Sequence, residues 1–342
     1  MDKQAGAYLG TGGGTMRSRS KLRPKTNIDP MNMLWIILAL LTAILLICRI
    51  AEKSQQQVVL PPASIYINIL NSSGRIEKIE LETFICGVVA AESPASFADE
   101  ALKAQAVAAR TYVLSHCQPY GENRHDNAAV CCDSSHCQAY ASDDELKQRW
   151  GKKYEEYRNK ITAAVADTAG IILCWQKEIA QAPFFSTCGG HTENAESCWG
   201  KYFPYLISVN CGYCGASPRF SACRSFTLAE AAALLEAEIN DLYNMRTESY
   251  TPGGRISLLS VGGKQYTGTG IRSRLGLDSA TFNWLIFADD ITFTTIGYGH
   301  GVGMCQYGAN GMAENGYNYQ DILAHYYPGT SLADINRQTA GK

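Results

Sequence analysis

The pattern of apolar and polar positions divides the chain into a polar N-terminal stretch, one long apolar run and a mixed segment. Residues 1–30 are rich in Gly, Ser and basic side chains, too polar to bury a core, which predicts a disordered tail. Residues 31–50 are mostly apolar, a length that suits one transmembrane helix better than a signal peptide. The positive-inside rule then places the tail in the cytoplasm and the rest of the chain outside it. A lipoprotein signal at Cys48 is the competing interpretation, although Ile47 stands where that signal needs a small residue.

The mixed segment predicts a single α+β domain at residues 65–332, after a linker at residues 51–64 and before a C-terminal tail at residues 333–342. Apolar alternation predicts strands at Ile65–Leu70, Ile76–Leu81, Gly170–Trp175, Ile179–Thr187, Tyr205–Val209 and Ile256–Val261. Helical periodicity predicts helices from about Asp99 to Ser115, Asp143 to Thr168 and Phe226 to Leu242. Strands and helices interleave irregularly, which favours α+β over a doubly wound fold.

One carboxylate, Glu92, lies at the break between two apolar helices. A helix before Glu92 must end at about Ser93, because Pro94 follows and the residue before a proline disfavours the helical region. Ser96 and Asp99 have capping-box spacing and begin an alanine-rich helix that we expect to be central and buried. Packing between two helices desolvates a carboxylate and raises its pKa, which makes Glu92 a candidate general acid. The alternative is a helix-terminal carboxylate paired with Arg110 or Lys103.

Composition narrows the function classes. The chain has 342 residues, of which 46% are hydrophobic and 18% charged, enough for a sizeable core. The net charge of −2 argues against a nucleic-acid binder. The 13 cysteines are scattered over a long chain, so their number does not fix their redox state.

A stretch rich in histidine and cysteine, HDNAAVCCDSSHC at residues 125–137, predicts a metal site. Four of its five potential ligands can close a tetrahedral Zn²⁺ site, and the five are His125, Cys131, Cys132, His136 and Cys137. Four protein ligands leave no open position, which favours a structural zinc over a catalytic one. A disulfide between two of the cysteines is the remaining interpretation.

A second group of cysteines follows farther along the chain: Cys188, Cys198, Cys211, Cys214 and Cys223. It contains a CGYC motif, but the spacing does not decide between disulfides and another metal site. The glycine-rich stretch at residues 297–313 matches neither GxGxxG nor the P-loop, so we do not expect a nucleotide site. A tight turn ahead of a helix is the favoured interpretation there.

Three stretches together resemble a known family. They are AAESPASFADEALKAQAVAARTY at residues 90–112, FFSTCGGHTENAESCWG at residues 184–200, and GHGVGMCQYGANGMA at residues 299–313 with ILAHYYPGT after it. The chain is similar over about residues 65–332 to the stage II sporulation protein D family, within a wider group related to enhancers of cell-wall amidases.

The resemblance implies a membrane-anchored lytic transglycosylase. Such an enzyme cleaves the MurNAc–GlcNAc bond of peptidoglycan glycan strands, stripped of peptides, to 1,6-anhydro-muramic acid ends during septal wall remodelling and engulfment in sporulation. The implied partners are glycan strands, the membrane, the amidase known as stage II sporulation protein P and the scaffold known as stage II sporulation protein M. The family's catalytic glutamate maps to Glu92. The resemblance also implies a structural zinc site at His125, Cys131, His136 and Cys137, which does not include Cys132.

Within this resemblance we place the glycan cleft at Ser186, Thr187, His191, Glu193, His300, Gln306 and Tyr307. Two positions depart from the family pattern: Ser93 stands where many relatives have methionine, and Cys305 where many have serine. Two other functions remain open. One is a non-enzymatic glycan-binding activator of a cell-wall amidase, and the other is a zinc hydrolase that cuts peptide stems with His125 and His136.

Overall fold

The computed structural model of the chain describes residue 31 and residues 64–338, apart from residues 118, 120, 122 and 135. The chain divides into Met1–Pro61, of which only the exposed helical residue Met31 is described, and Pro62–Lys342. The predicted cytoplasmic tail, nearly all of the predicted transmembrane helix and linker, and residues 339–342 therefore lie outside the described residues. No helix in the described part is both long and apolar enough to cross a membrane.

The domain begins with the predicted hairpin. β1 (Tyr66–Leu70) and β2 (Ile76–Glu80) are antiparallel, with Leu70 opposite Ile76, and β3 (Val130–Cys131) pairs parallel with β1 on its other edge. The turn between β1 and β2 needs Gly74, whose φ of 73° is accessible to glycine at little cost.

Four helices pack behind this sheet: α1 (Leu81–Glu92), α2 (Asp99–Ser115), α3 (Asp143–Trp150) and α4 (Tyr154–Asp167). Helix α2 is the predicted central helix, and its many alanines allow α1 and α4 to pack closely against it. The predicted capping box is wrong, because Ala98 caps α2 and its backbone N–H donates to Asn310 Oδ1 at 2.8 Å. The predicted long helix after residue 143 is interrupted by a 3₁₀ turn at Gly151–Lys153, where Gly151 has a φ of 51°.

Two further sheets complete the main body. They consist of β4 (Ile171–Trp175) between β5 (Glu178–Ile179) and β14 (Ser331–Asp334), and of β6 (Phe184–Phe185) parallel to β13 (Met304–Cys305). The remaining helices of the body are α5 (Ala195–Trp199), α9 (Gln306–Glu314), α10 (Tyr319–Tyr326) and α11 (Ile335–Gln338).

The strand predicted at residues 205–209 is wrong. Side chains replace backbone partners along it, since the Ser208 N–H donates to Asn194 Oδ1 at 2.6 Å and the Val209 N–H donates to Thr192 Oγ1 at 2.8 Å. The segment therefore crosses the 192–195 loop without forming a regular ladder.

A second apolar core lies between residues 221 and 296, within the single predicted domain. Its strands are β7 (Ser221–Thr227), β8 (Arg246–Tyr250), β9 (Ile256–Val261), β10 (Lys264–Thr267), β11 (Phe282–Phe287) and β12 (Asp290–Ile296). Its helices are α6 (Leu228–Leu235), α7 (Ile239–Leu242) and α8 (Gly268–Leu275). The strands form two three-stranded sheets, β10-β9-β8 and β11-β12-β7.

The two cores are separate clusters of buried side chains. The main cluster surrounds α2, whereas the second is built around residues such as Leu259, Ile271 and Phe293. The second core is an insertion in the chain path, and its two ends lie side by side because Ser221 pairs with Ile296 in the β7–β12 register. The structure confirms the predicted α+β class.

Candidate active site and metal cluster

Glu92 is the last residue of α1 and is partly buried. The chain leaves the helix at Ser93, whose extended backbone (φ −121°, ψ 141°) fits the proline that follows, and whose N–H still donates to the Val89 carbonyl at 3.0 Å. The chain therefore turns away directly after Glu92, whose backbone is held by the last turn of the helix.

The two carboxylate oxygens of Glu92 have different partners. The backbone N–H of Ala139 donates to Oε1 at 2.6 Å. The side-chain amide of Gln306, the first residue of α9, approaches Oε2 at 3.5 Å and Gln105 Oε1 at 3.4 Å. Three segments that are far apart in the sequence thus meet at one carboxylate.

Burial raises the pKa of Glu92, and the hydrogen bonds from Ala139 and Gln306 oppose that effect only in part. The alternative pairing partners are engaged elsewhere. Arg110 binds Glu82 through two hydrogen bonds, of 2.6 and 2.8 Å, and Lys103 pairs with acidic side chains other than Glu92. The candidate acid thus has no basic partner among these groups, and its charged form is disfavoured.

Aromatic and polar groups border the carboxylate. The partly exposed Tyr307 ring follows Gln306 and makes a T-shaped contact with the Phe97 ring, with 5.0 Å between ring centroids. The Tyr307 N–H donates to the Ser186 carbonyl at 3.1 Å, and Lys160 Nζ donates to the Phe97 carbonyl at 2.5 Å. An aromatic ring and hydrogen-bonding groups therefore follow Gln306, the residue whose side chain contacts Glu92.

A cluster of two histidines and two cysteines lies just before Ala139. The ligand atoms of His125, Cys131, His136 and Cys137 all lie within 4.8 Å of one another. Strand β3 positions Cys131, and Cys137 is two residues before the N–H that binds Glu92.

The distances in this cluster fit a tetrahedral metal ion. Three of the four N···S distances are 3.4 Å from His125 Nε2 to Cys137 Sγ, 3.4 Å from His136 Nδ1 to the same sulfur, and 3.6 Å from His136 Nδ1 to Cys131 Sγ. Zn–S bonds of about 2.3 Å and Zn–N bonds of about 2.0–2.1 Å at tetrahedral angles separate N from S by about 3.6 Å. The four residues can therefore hold one ion, and neighbouring Cys132 is outside the set.

Comparison with known proteins places the chain in a family. A stage II sporulation protein family model matches residues 71–175. The chain is 40% identical over 287 residues to stage II sporulation protein D of Bacillus subtilis, covering 84% of this chain and 83% of that protein.

The chain belongs to the stage II sporulation protein D family. It is also 41% identical over 267 residues to stage II sporulation protein D of Bacillus amyloliquefaciens, covering 78% of this chain and 77% of that protein. A more distant relative is the amidase enhancer of Bacillus subtilis, 28% identical over 304 residues, which cover 72% of this chain and 40% of that protein. The family model includes Glu92, Gln105 and the histidine–cysteine cluster, whereas Gln306 lies beyond it.

Only some of the residues predicted for the glycan cleft meet Glu92. Gln306 contacts it, and the next residue, Tyr307, donates its N–H to the Ser186 carbonyl. His191 is exposed in a loop whose backbone bridges to Asn210.

Three other predicted cleft residues have protein partners instead. Thr187 is fully buried and its hydroxyl pairs with Ser217 Oγ at 2.6 Å. Glu193 is fully buried and accepts hydrogen bonds from the Thr251 hydroxyl and from backbone N–H groups. The Nε2 atom of His300 lies 3.0 Å from the Phe184 carbonyl, and burial lowers the pKa of this histidine to about 4.

Sequence reasoning missed two groups that contact the site. Gln105 lies on the buried face of α2 in the EALKAQAVAARTY motif, where a polar side chain among alanines was the available signal. The Ala139 N–H carries no such signal, because a backbone donor depends on the path of the loop and not on the side chain.

A groove of about 450 Å³ lies between α1, α3 and α4, and its lining includes Cys86, Tyr140 and Trp150 but not Glu92. It is thus distinct from the site described above.

Proposed function

We propose that the chain is a peptidoglycan lytic transglycosylase in which Glu92 is the only general acid and base. The enzyme is anchored in the cell membrane with its N-terminus in the cytoplasm, and its domain cleaves glycan strands outside the cell during septal wall remodelling and engulfment. The observation that carries this proposal is a carboxylate with a raised pKa that has neither Arg110 nor Lys103 as a partner and is contacted by Gln306, the residue before the partly exposed Tyr307.

Glu92 acts first as an acid. Its Oε1 atom accepts from the Ala139 N–H, so the proton lies on Oε2, which faces Gln306. That proton is given to the oxygen of the MurNAc–GlcNAc bond as the bond breaks, and the GlcNAc unit leaves as an alcohol. The amide of Gln306 can serve both states of Glu92, because its N–H donates to the carboxylate and its carbonyl, after rotation of the amide, accepts from the acid.

Glu92 then acts as a base. The carboxylate takes the proton from the C6 hydroxyl of the same muramoyl unit, and that oxygen bonds to the anomeric carbon to form the 1,6-anhydro ring. No water is consumed, and Glu92 recovers its proton. Because the nucleophile is already part of the substrate, proximity replaces the second carboxylate that glycoside hydrolysis ordinarily needs.

The placement of Glu193 supports this mechanism. It is the other acidic residue predicted for the cleft, and it is fully buried with its oxygens bonded to Thr251, Asn194 and Gly253. Glu193 is therefore unavailable as a nucleophile or as a base for water.

We propose a structural Zn²⁺ at His125, Cys131, His136 and Cys137. A bound zinc supplies folding free energy and fixes the loop that ends at Ala139. The contribution of this loop to the reaction is then the Ala139 N–H, which orients Glu92.

A second candidate function is supported by the amidase enhancer relative. In that case the domain binds glycan strands and stimulates a cell-wall amidase, such as stage II sporulation protein P, beside the scaffold protein M. A role for Glu92 in proton transfer is then unnecessary.

Mass spectrometry of products from purified glycan strands distinguishes these functions. We expect the wild type to release fragments with 1,6-anhydro-muramic acid ends, one water lighter than hydrolysis products. Glu92→Gln should lose about 10²–10⁴-fold in rate while it still folds and binds glycan. Reducing ends in place of anhydro ends would contradict the mechanism. If neither protein cuts glycan and Glu92→Gln still stimulates an added amidase, the activator function is correct.

A further inference from the structure

Four buried cysteines from three separate segments converge behind the candidate active site. They are Cys188, Cys211, Cys214 and Cys305, with exposed fractions of 4%, 1%, 1% and 0%. Their sulfur atoms all lie within 4.8 Å of one another. Of the five cysteines that the sequence groups together here, Cys198 and Cys223 lie outside the cluster, and Cys305 joins it from the glycine-rich segment.

We propose that these four cysteines bind one Zn²⁺ ion as a second metal site. On binding, the four thiols lose four protons, and the product is a tetrahedral complex with four zinc–thiolate bonds and a net charge of −2. Four protein ligands close the coordination sphere, so the site is structural.

The spacing of the sulfurs indicates a single ion. Zn–S bonds of about 2.3 Å at tetrahedral angles separate the sulfurs by about 3.8 Å. The Sγ atoms of Cys188 and Cys214 are 3.5 Å apart, and none of the sulfur pairs exceeds 4.8 Å. An iron–sulfur cluster holds several metal ions between its cysteines, which would keep the sulfurs farther apart.

Each sulfur has a hydrogen-bond donor that suits a thiolate. Cys305 Sγ accepts from the backbone N–H groups of Cys188 and Gly308, both at 3.3 Å. The other donors are the Gly190 N–H to Cys188 at 3.4 Å, the Gly189 N–H to Cys214 and the Tyr326 hydroxyl to Cys211 at 3.1 Å. Such donors orient metal-bound thiolates and offset their charge in a buried site.

A close contact at Gly308 fits the same arrangement. A Cβ atom at this position would lie 2.5 Å from Cys211 Sγ and 2.1 Å from the Tyr326 hydroxyl. Because glycine lacks that atom, the first turn of α9 can approach the sulfurs, and its N–H reaches Cys305.

The sequence pattern also fits a metal site. Cys211 and Cys214 form a CxxC turn, a common way to place two thiolates on one ion. Cys188 follows β6, and Cys305 ends β13, so the ion would tie this turn to the paired strands. Cys305 directly precedes Gln306, and the site would therefore fix the start of the helix whose first residue contacts Glu92.

Metal analysis of the full-length chain, purified without chelator, tests this site separately from the proposed function because it does not measure activity. We expect two zinc ions per wild-type chain and one in each of Cys214→Ser and Cys137→Ser. Cys223→Ser, which changes an exposed cysteine outside both clusters, is the matched control and should retain two.

Cobalt substitution keeps the proposal testable if Cys214→Ser fails to fold. In the Cys137→Ser chain, which leaves this cluster intact, Co²⁺ should give tetrahedral d–d bands and strong thiolate-to-cobalt charge transfer. The proposal is overturned if that chain binds no metal, or if intact mass after alkylation without reductant shows the four cysteines in disulfides. Iron in place of zinc in the purified chain would also overturn the choice of ion.

Discussion

The properties of Glu92 follow from three features of its surroundings: a proline that ends α1 near this residue, burial beside α2, and a backbone donor from a distant loop. The first was evident in the sequence, because Pro94 cannot follow a helical residue without strain. The raised pKa was expected from packing between helices. The hydrogen-bond partners of the carboxylate could not be predicted, since Ala139 contributes only its backbone and Gln306 lies 214 positions away along the chain.

Changing Glu92 to glutamine should alter the pH dependence of stability. Burial raises the pKa of Glu92 in the folded state above the ordinary value of about 4.3. At pH values between the unfolded and the folded pKa, the folded state binds more protons than the unfolded state. The free energy of unfolding therefore falls as pH rises through this range. Glutamine has no such charge to bury. We expect the Tm of Glu92→Gln minus that of the wild type to grow as pH rises from 4 toward neutrality.

Differential scanning calorimetry at several pH values measures this difference. The matched control is Glu156→Gln, an exposed position on α4, whose Tm should follow the wild type throughout. A constant difference for Glu92→Gln would show that its carboxylate is not desolvated.

Removing the amide of Gln306 should slow catalysis and move its pH profile. The hydrogen bond from Gln306 lowers the pKa of Glu92, so Gln306→Ala should shift the alkaline limb of kcat/KM to higher pH. The loss of one hydrogen bond, about 0.5–1.5 kcal/mol, predicts a decrease in kcat of about 2–10-fold. Gln265→Ala, at an exposed position on β10, is the control and should change neither. An unchanged limb would mean that Gln306 does not interact with Glu92 in solution.

At the scale of elements, signals in the sequence predicted the structure where the hydrogen-bond partners are close together along the chain. Strands β1, β2 and β9 form where the sequence predicts strands, and a capping box of Thr227 with Glu230 begins α6 inside the predicted helix. Errors occur where a distant group replaces a local one. Ala98, whose N–H donates to Asn310 Oδ1, is the N-cap of α2 in place of Ser96. The side chains of Thr192 and Asn194 take the backbone partners that a strand would have used.

The histidine–cysteine cluster gives a prediction at this scale. Structural zinc contributes about 10–16 kcal/mol in small zinc-binding peptides, so losing one ligand should markedly lower stability. We expect Cys137→Ser to lose one zinc and to melt at a lower temperature than the wild type. Cys132→Ser, one residue from Cys131 but outside the cluster, should keep its zinc and its Tm.

Metal analysis and thermal denaturation of both variants check this expectation. An equal Tm for the zinc-free and zinc-loaded chains would refute a structural role. Loss of activity alone, with the fold intact, would instead favour a catalytic zinc.

At the scale of the molecule, the sequence predicted one domain, and the structure contains two apolar cores joined at a buried polar junction. Glu193 of the main body and Arg255 of the insertion are both almost fully buried, with 4.0 Å between Arg255 Nε and the carboxylate. The resemblance to the family predicts Glu193 as a ligand-binding residue of the glycan cleft. Only the path of the insertion reveals Thr251 and Gly253 as its partners.

Truncating a side chain in the second core should destabilise the insertion without loosening the main body. Leu259 is fully buried in β9, the central strand of its sheet, and Leu259→Ala should cost about 2–5 kcal/mol. Leu285→Ala, in the same insertion but 70% exposed, should cost less than about 0.5 kcal/mol.

Amide hydrogen exchange distinguishes the two cores in these variants. In Leu259→Ala we expect faster exchange in β8, β9 and β10 with unchanged protection in α2. Equal acceleration in α2 would show that the two cores unfold as one unit.

The pairing of Ser221 with Ile296 has a consequence for how the chain can be redesigned. Since the insertion leaves and re-enters the main body at neighbouring positions, it acts as a single closed loop in the chain of the main body. The entropic cost of closing such a loop grows only with the logarithm of its length, about 0.6 kcal/mol per doubling. Selection or a protein engineer can therefore lengthen, shorten or exchange this module while the paths that converge on Glu92 stay as they are.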